Sequence, residues 1–221
     1  MNRCVIALFT RAPEWGKVKT RLAQTHGDEF AFDLAGAMLA DTLTLCASIE
    51  VTTRLFLTPD GFDGRLVWSG TTSSQGEGDL WTRLLRADAH LRGEGFERVV
   101  FLGSDAPDVP ARLVEAAFAS LETRPLVVGP ALDGGFYLMG GARRLPDDLF
   151  EGVPVSARDT LAHLTENLHR LSRERDFGFR TLSAWSDVDE EDDLKLLIER
   201  LRDTPDAASH CREVLEKYGL L

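Results

Sequence analysis

The sequence predicts a single-domain α/β sandwich with a mainly parallel central sheet, and three observations predict it. Short apolar runs alternate with stretches of helical periodicity along most of the chain. The 221 residues are 43% hydrophobic and 28% charged, the balance of a globular chain that can bury a core without disulfides or a structural metal. No internal repeat, low-complexity run or linker divides residues 1–221, so one domain is expected.

Cys4-Val-Ile-Ala-Leu-Phe9 is short, apolar and bounded by polar residues, the pattern of a central parallel strand covered on both faces. After a basic loop, Phe30, Leu34, Met38 and Leu45 recur at roughly helical spacing behind a Gly27-Asp28 start signal. Leu55-Phe-Leu57 is a second strand, and Leu80, Leu84 and Leu91 mark a second helix after the Gly-rich Gln75-Gly-Glu-Gly-Asp79. Val99-Val-Phe-Leu102 is the third clear strand. Pro110 stands where a helix can begin, with Leu113, Ala117 and Leu121 on one face, before Leu126-Val-Val128 returns as a strand. Leu194, Leu197, Ile198 and Leu201 form the cleanest helical stripe. Sheets of this type bind ligands beyond the carboxyl ends of their strands, so the loops there take the functional reading.

Charge narrows the partners. With 25 basic and 36 acidic side chains the formal charge is −11, which repels nucleic acid and anionic membranes, so neither is expected as a partner. Cys4, Cys46 and Cys211 are odd in number, far apart and lack Cys-x-x-Cys spacing, which fits a reducing cytoplasm and gives no thiolate zinc site. The five histidines are dispersed, and none joins a Ser, Cys or carboxylate in a spacing that suggests nucleophilic catalysis.

Three loops run against this background. Arg11-Ala-Pro-Glu-Trp-Gly-Lys-Val-Lys-Thr-Arg21 sets four cations against one acid in an acidic protein. Gly16 permits close backbone approach, and Lys17, Lys19 and Arg21 can cradle a di- or triphosphate; a solvated basic loop is the alternative. In Gly103-Ser-Asp-Ala-Pro-Asp-Val-Pro110, Asp105 is placed to hold Mg2+ or Mn2+ against a nucleotide, with Asp108 assisting or capping the next helix; a plain Asp-Pro turn is the alternative. Asp187-Val-Asp-Glu-Glu-Asp-Asp193 puts six acids in seven residues before the Leu194 stripe. The helix dipole accounts for most of them, but the density exceeds what capping needs, so one or two can complete a cation site around Asp105.

With the first loop read as two motifs, Phe9-x-Arg11 and Gly16-Lys-Val-Lys-Thr-Arg-Leu22, and with Gln75-Gly-Glu-Gly-Asp-Leu80 and Gly129-Pro-Ala-Leu-Asp-Gly-Gly-Phe-Tyr-Leu138 added, these loops make six ordered motifs that span nearly the whole chain. In that order the sequence resembles the bacterial transferase family named for association with radical-SAM and selenodomain proteins. That family lies in the nucleotide-diphospho-sugar transferase superfamily, with the GT-A-like fold shared by 2-phospholactate guanylyltransferase and sugar nucleotidyltransferases. The resemblance implies a metal on Asp105 and Asp189, with Asp187 in reserve. It also implies phosphate contacts from Arg11, Gly16, Lys17, Lys19 and Arg21, of which Lys19, Arg21 and Asp105 act in catalysis. Base or ribose contacts fall to Gln75 and Gly76, and acceptor contacts to Asp133, Gly134 and Gly135. Asp-Gly between two apolar runs is equally a hairpin signal. Where the family often has Cys, Gly and Trp-Ser-Thr, this chain has Ala106, Trp81 and Pro154-Val-Ser-Ala-Arg-Asp-Thr160, which alters the acceptor side. The resemblance implies a transferase, and because the concentrated basic loop suits a triphosphate and Gly103-Ser-Asp-Ala-Pro107 supplies a single acid, the expected activity is transfer of a nucleotidyl group from a nucleoside triphosphate to a small-molecule acceptor. A glycosyltransferase using a nucleotide sugar and a nucleotide-binding module without turnover are the alternatives.

Overall fold

The computed structural model describes residues 3–62, 68–175 and 177–221. In chain order the elements are β1 (Cys4–Arg11), α1 (Thr20–His26), α2 (Asp28–Ser48), β2 (Thr52–Thr58), β3 (Thr72–Ser74), α3 (Leu80–Gly93) and β4 (Arg98–Gly103). They continue with α4 (Ala111–Ser120), β5 (Leu126–Pro130), β6 (Phe136–Gly141), α5 (Thr160–Arg175), β7 (Phe179–Thr181), α6 (Glu191–Asp203) and α7 (Ser209–Lys217).

The strands form one sheet in the order β3-β2-β1-β4-β6-β5-β7. β1 lies between β2 and β4, parallel to both, and its residues Val5 to Leu8 have no exposed surface, as its uninterrupted apolar run requires. Because side chains alternate along a strand, Ile6 and Leu8 pack on one face with α2 and α4, and Val5 and Ala7 on the other with α3 and α5. A third cluster joins Leu22 of α1, Phe30 and Leu34 of α2, Leu197 of α6 and Leu215 of α7. Among the described residues, β6 is the one strand that runs antiparallel to its neighbours, β4 and β5. Its first residues therefore lie at the edge where the parallel strands end, and residues 131–135 make the hairpin that the Asp-Gly signal foretells.

α2 is long and apolar enough to cross a bilayer, with mean hydropathy 1.4, but more than half of that stretch is buried in the protein's own core. α5 was not among the expected elements, although Leu161, Leu164, Leu168 and Leu171 recur at helical spacing and the last three are buried. The edge strands β3 and β7 have three residues each, too short for a periodic signal.

Candidate functional site

Lys19 occupies the centre of the crevice. The loop after β1 delivers it as the residue capping α1, in left-handed backbone conformation (φ 43°, ψ 44°), which costs a side-chain-bearing residue about 1–2 kcal/mol. Its ammonium donates to Asp105 Oδ1 from the loop after β4 and, at 2.7 Å, to Asp189 Oδ1 from the segment before α6. Burial alone pulls the Lys19 ammonium down, but the two carboxylates outweigh it and hold the group above the ordinary lysine range. Two oxygens that share one ammonium lie within roughly 6 Å of each other, so Asp105 and Asp189 face one crevice. Their side chains are 55% and 49% exposed, leaving lone pairs open to a ligand.

The frame behind this triad is held by protein–protein hydrogen bonds. Thr10 and Ser104 share a 2.7 Å hydrogen bond that ties the end of β1 to the end of β4. Val188 N donates to Asp105 O at 2.8 Å, which joins the two acid-bearing loops directly. Asp108, expected to assist the metal or cap a helix, does neither. It is 2% exposed and accepts both Nε and, at 3.0 Å, Nη2 of Arg200. Trp185 Nε1 donates to the same carboxylate at 3.2 Å, and Arg200 also reaches Ser186 Oγ at 3.0 Å. The cap of α4 is Pro110, with no side-chain hydrogen bond.

The acidic run divides by role. Glu190 and Asp193 make a reciprocal capping box at α6, Asp192 pairs with Lys195, Glu191 with His26 and Glu190 also with Arg21. Asp187 has none of these partners and does not meet Lys19. It lines a smaller cavity of about 180 Å³ with Asp133, Phe136 and Thr160. Burial pushes its carboxyl up to about 7, reinforced by the negative charges of Asp133, Asp189 and Asp193.

Of the expected phosphate residues, Lys19 and Arg21 line a crevice of about 440 Å³ together with Asp133, Asp189 and Arg158. Arg11 and Lys17 line an adjoining cavity of about 180 Å³ that shares Lys19 and Asp189 with the crevice and is also lined by Asp105. Gly16 has φ 69°, the left-handed turn only glycine adopts freely, and Lys17 pairs with Glu14 at 3.0 Å. Gln75 is buried and donates from Nε2 to Thr10 O and Phe56 O, both at 2.9 Å, and so clamps the ends of β1 and β2. Gly76 N is engaged with Ser74 Oγ. Asp133 accepts from Gly135 N at 2.7 Å within its hairpin while lining the crevice, so turn and pocket roles coexist.

Sequence reasoning missed Arg158 and Arg200. Arg158 lies in the 154–160 segment noted only as a family departure, and Arg200 lies 92 residues from the acid it holds, a pairing no local pattern shows. Among the described residues, no group of three or more His, Cys, Asp or Glu side chains is arranged to hold a metal ion. Asp105 and Asp189, the expected metal pair, meet at Lys19, and Asp187, held in reserve, lines a different cavity.

Residues 42–157, just over half the chain, match the model of a bacterial family described as "Uncharacterized protein conserved in bacteria (DUF2064)". The chain belongs to the DUF2064 family. A search of curated proteins found no match. Among solved structures, a candidate nucleotide-diphospho-sugar transferase from Desulfovibrio desulfuricans G20 is 28% identical, with TM-score 0.86 and 99% of both chains covered. The 4-diphosphocytidyl-2C-methyl-D-erythritol synthase of Anaerococcus prevotii DSM 20548 aligns at TM-score 0.52 and 12% identity over 91% of this chain and 100% of that one. A CMP:2-keto-3-deoxy-manno-octonic acid synthetase complexed with CTP aligns at 0.51 and 12% over 90% and 98%. The DUF2064 chain therefore has the nucleotide-diphospho-sugar transferase fold, and its similarities point to transferases as a class.

Proposed function

We propose that this protein is a metal-dependent nucleotidyltransferase that moves a nucleotidyl group from a nucleoside triphosphate to a small acceptor, releasing pyrophosphate. One observation carries the reading: a buried lysine held between two half-exposed carboxylates on separate loops, at the strand ends where this fold binds ligands. The fold similarity to a CTP-bound synthetase supports a nucleotide as substrate. The six ordered motifs support a place in the radical-SAM/selenodomain-associated group, and three buried free cysteines agree with a reducing cytoplasm.

The donor set fits Mg2+ or Mn2+. Such ions take hard oxygen ligands from one or two carboxylates and complete their shell with water and substrate phosphate, so Asp105 and Asp189 suffice without a three-acid cage. When bound, the ion would polarise phosphate oxygens and neutralise charge on them. Lys19 and Arg21 would bind and orient the phosphates, stabilising charge that builds on the leaving pyrophosphate. An acceptor oxygen would attack the α-phosphorus as its bond to the bridging oxygen breaks, so positioning replaces any covalent intermediate.

Glycosyl transfer from a nucleotide sugar is the second reading, favoured by the name of the 28%-identical Desulfovibrio structure. Nucleotidyl transfer is preferred because the basic loop suits a triphosphate and the acids come singly from two loops. The test is a screen of nucleoside triphosphates and nucleotide sugars with acceptor mixtures and either ion. Pyrophosphate release supports the proposal. Nucleoside diphosphate released from nucleotide sugars, with no pyrophosphate from triphosphates, replaces it with glycosyl transfer.

A further inference from the structure

The crevice beside Lys19 carries three cations, and two of them are engaged. Lys19 is held by Asp105 and Asp189, and Arg21 by Glu190 at 2.7 Å. The guanidinium of Arg158 forms no hydrogen bond or ion pair among the described residues, although it lines the same space as Asp133, Asp189 and Glu190. An unpaired guanidinium is a ready fork for a planar or tetrahedral anion.

The backbone that presents Arg158 is fixed. Ser156 takes a left-handed conformation (φ 55°), a strained state for a side-chain-bearing residue. Buried Thr160 pins the turn: its hydroxyl accepts from Ala157 N at 3.1 Å and lies 2.7 Å from Ala157 O and 2.9 Å from Pro154 O. Leu161 N donates to Gly134 O at 2.8 Å, which locks the turn onto the β5–β6 hairpin. Gly134 is obligatory there, since a Cβ would lie 1.9 Å from the Arg158 carbonyl oxygen. Trp81, another departure from the family pattern, supports the preceding stretch by donating from Nε1 to Val153 O at 2.8 Å and stacking on Phe150 at 4.5 Å. A fixed turn lowers the ordering cost of using Arg158 for binding.

Arg158 shares the larger crevice with Lys19 and Arg21 but not the cavity of Arg11 and Lys17, and its turn is anchored on the β5–β6 hairpin rather than on the loop after β1. We infer that Arg158 is the anion-recognising residue for the second substrate: the acceptor carries a phosphate or carboxylate group that this guanidinium binds. The identification of that ligand as the acceptor rests on the transferase reading; the anion site itself does not. The acceptor's reacting oxygen would then point back toward Lys19, while Asp133 and Asp187, which line the smaller cavity with Phe136 and Thr160, offer acceptors to its hydroxyls.

The experiment is equilibrium binding of inorganic phosphate and, separately, acetate to wild type, Arg158→Ala, Arg158→Gln and Lys19→Ala, with folding checked by circular dichroism. The expected result is a binding phase that weakens at least tenfold in both Arg158 variants and persists in Lys19→Ala. Phosphate displacing acetate less well than the reverse would point to a carboxylate acceptor, and the opposite order to a phosphate ester; either supports the site. Titrations of both anions that are unchanged in both Arg158 variants would overturn it. Should no nucleotide turn over while the Arg158-dependent phase remains, the transferase reading fails and the anion site stands. Once a donor and acceptor are known, Arg158→Ala should raise the acceptor KM at least tenfold with the nucleotide KM unchanged, and a rise in nucleotide KM alone would remove the assignment to the acceptor.

Discussion

Asp105 and Asp108 are three residues apart on one loop, and each meets a cation from a distant element, yet the two pairs are built for opposite purposes. Asp108 is 2% exposed, and its two oxygens accept from Arg200 and Trp185, so nothing is left for a ligand. Asp105 is 55% exposed, shares a single ammonium with Asp189, and that ammonium sits on a strained backbone. A saturated, buried pair fixes geometry. An unsaturated pair at the surface of a crevice keeps bonding capacity for something that is not protein. The difference lies in exposure and unused lone pairs, neither of which the loop's sequence shows.

The largest effect that separates the pairs is on stability. Arg200→Met should destabilise the protein by about 3–5 kcal/mol, because Asp108 is left as an uncompensated buried charge. Urea unfolding measures it, and pairing Arg200→Met with Asp108→Leu should recover much of the loss, since no buried charge then remains. An unchanged midpoint in the single variant would erase the structural side of the contrast.

On the other side, Asp105→Asn should leave the unfolding midpoint close to wild type and lower metal-dependent turnover by at least about 100-fold, an effect near 2.7 kcal/mol on the barrier. Wild-type turnover in this variant would return Asp105 to a turn-forming role. Metal removal with EDTA should lower wild-type activity comparably and change little in a variant already lacking the acid.

How far the sequence reached follows the same line. Apolar runs such as Cys4–Phe9 and the Leu194–Leu201 stripe report burial directly, so strands, helices and the parallel sheet were legible. Lys19, Asp105 and the acidic run were legible as candidates because clustered charge in loops after strands is unusual, and the family resemblance picked Asp189 out of that run. The pairing of Asp108 with Arg200, the clamp made by Gln75, and the freedom of Arg158 were not. Each depends on which partner folding brings near, a long-range fact that no local pattern encodes. β3 and β7 were missed for want of length, whereas α5 had a usable stripe.

A smaller effect concerns Asp187, whose carboxyl is pushed up to about 7 by burial and the neighbouring acids, above the ordinary aspartate range. The native protein therefore binds more protons than the unfolded chain between about pH 4 and pH 7, so this group lowers stability as pH rises through that window. In EDTA, Asp187→Asn should raise the thermal midpoint at pH 7.5 relative to wild type, and the gain should vanish toward pH 4. A pH-independent difference would show that packing, not desolvation and the neighbouring acids, governs the site.

The smallest effect isolates the strain at Lys19. Lys19→Ala and Lys19→Gly both remove the ammonium and both leave Asp105 and Asp189 without it, so they lose the same charge interactions. They differ in the backbone. Alanine retains a Cβ in a left-handed conformation, at about 1–2 kcal/mol, whereas glycine escapes that cost but adds about 0.4–1 kcal/mol of unfolded-state entropy. The net expectation is that Lys19→Gly is more stable than Lys19→Ala by roughly 0.5–1 kcal/mol, with both inactive. Equal stability, or alanine ahead, would mean that the loop relaxes once the ammonium is gone. The left-handed conformation would then be a consequence of the Lys19 bridge, not a geometry the loop imposes to aim it.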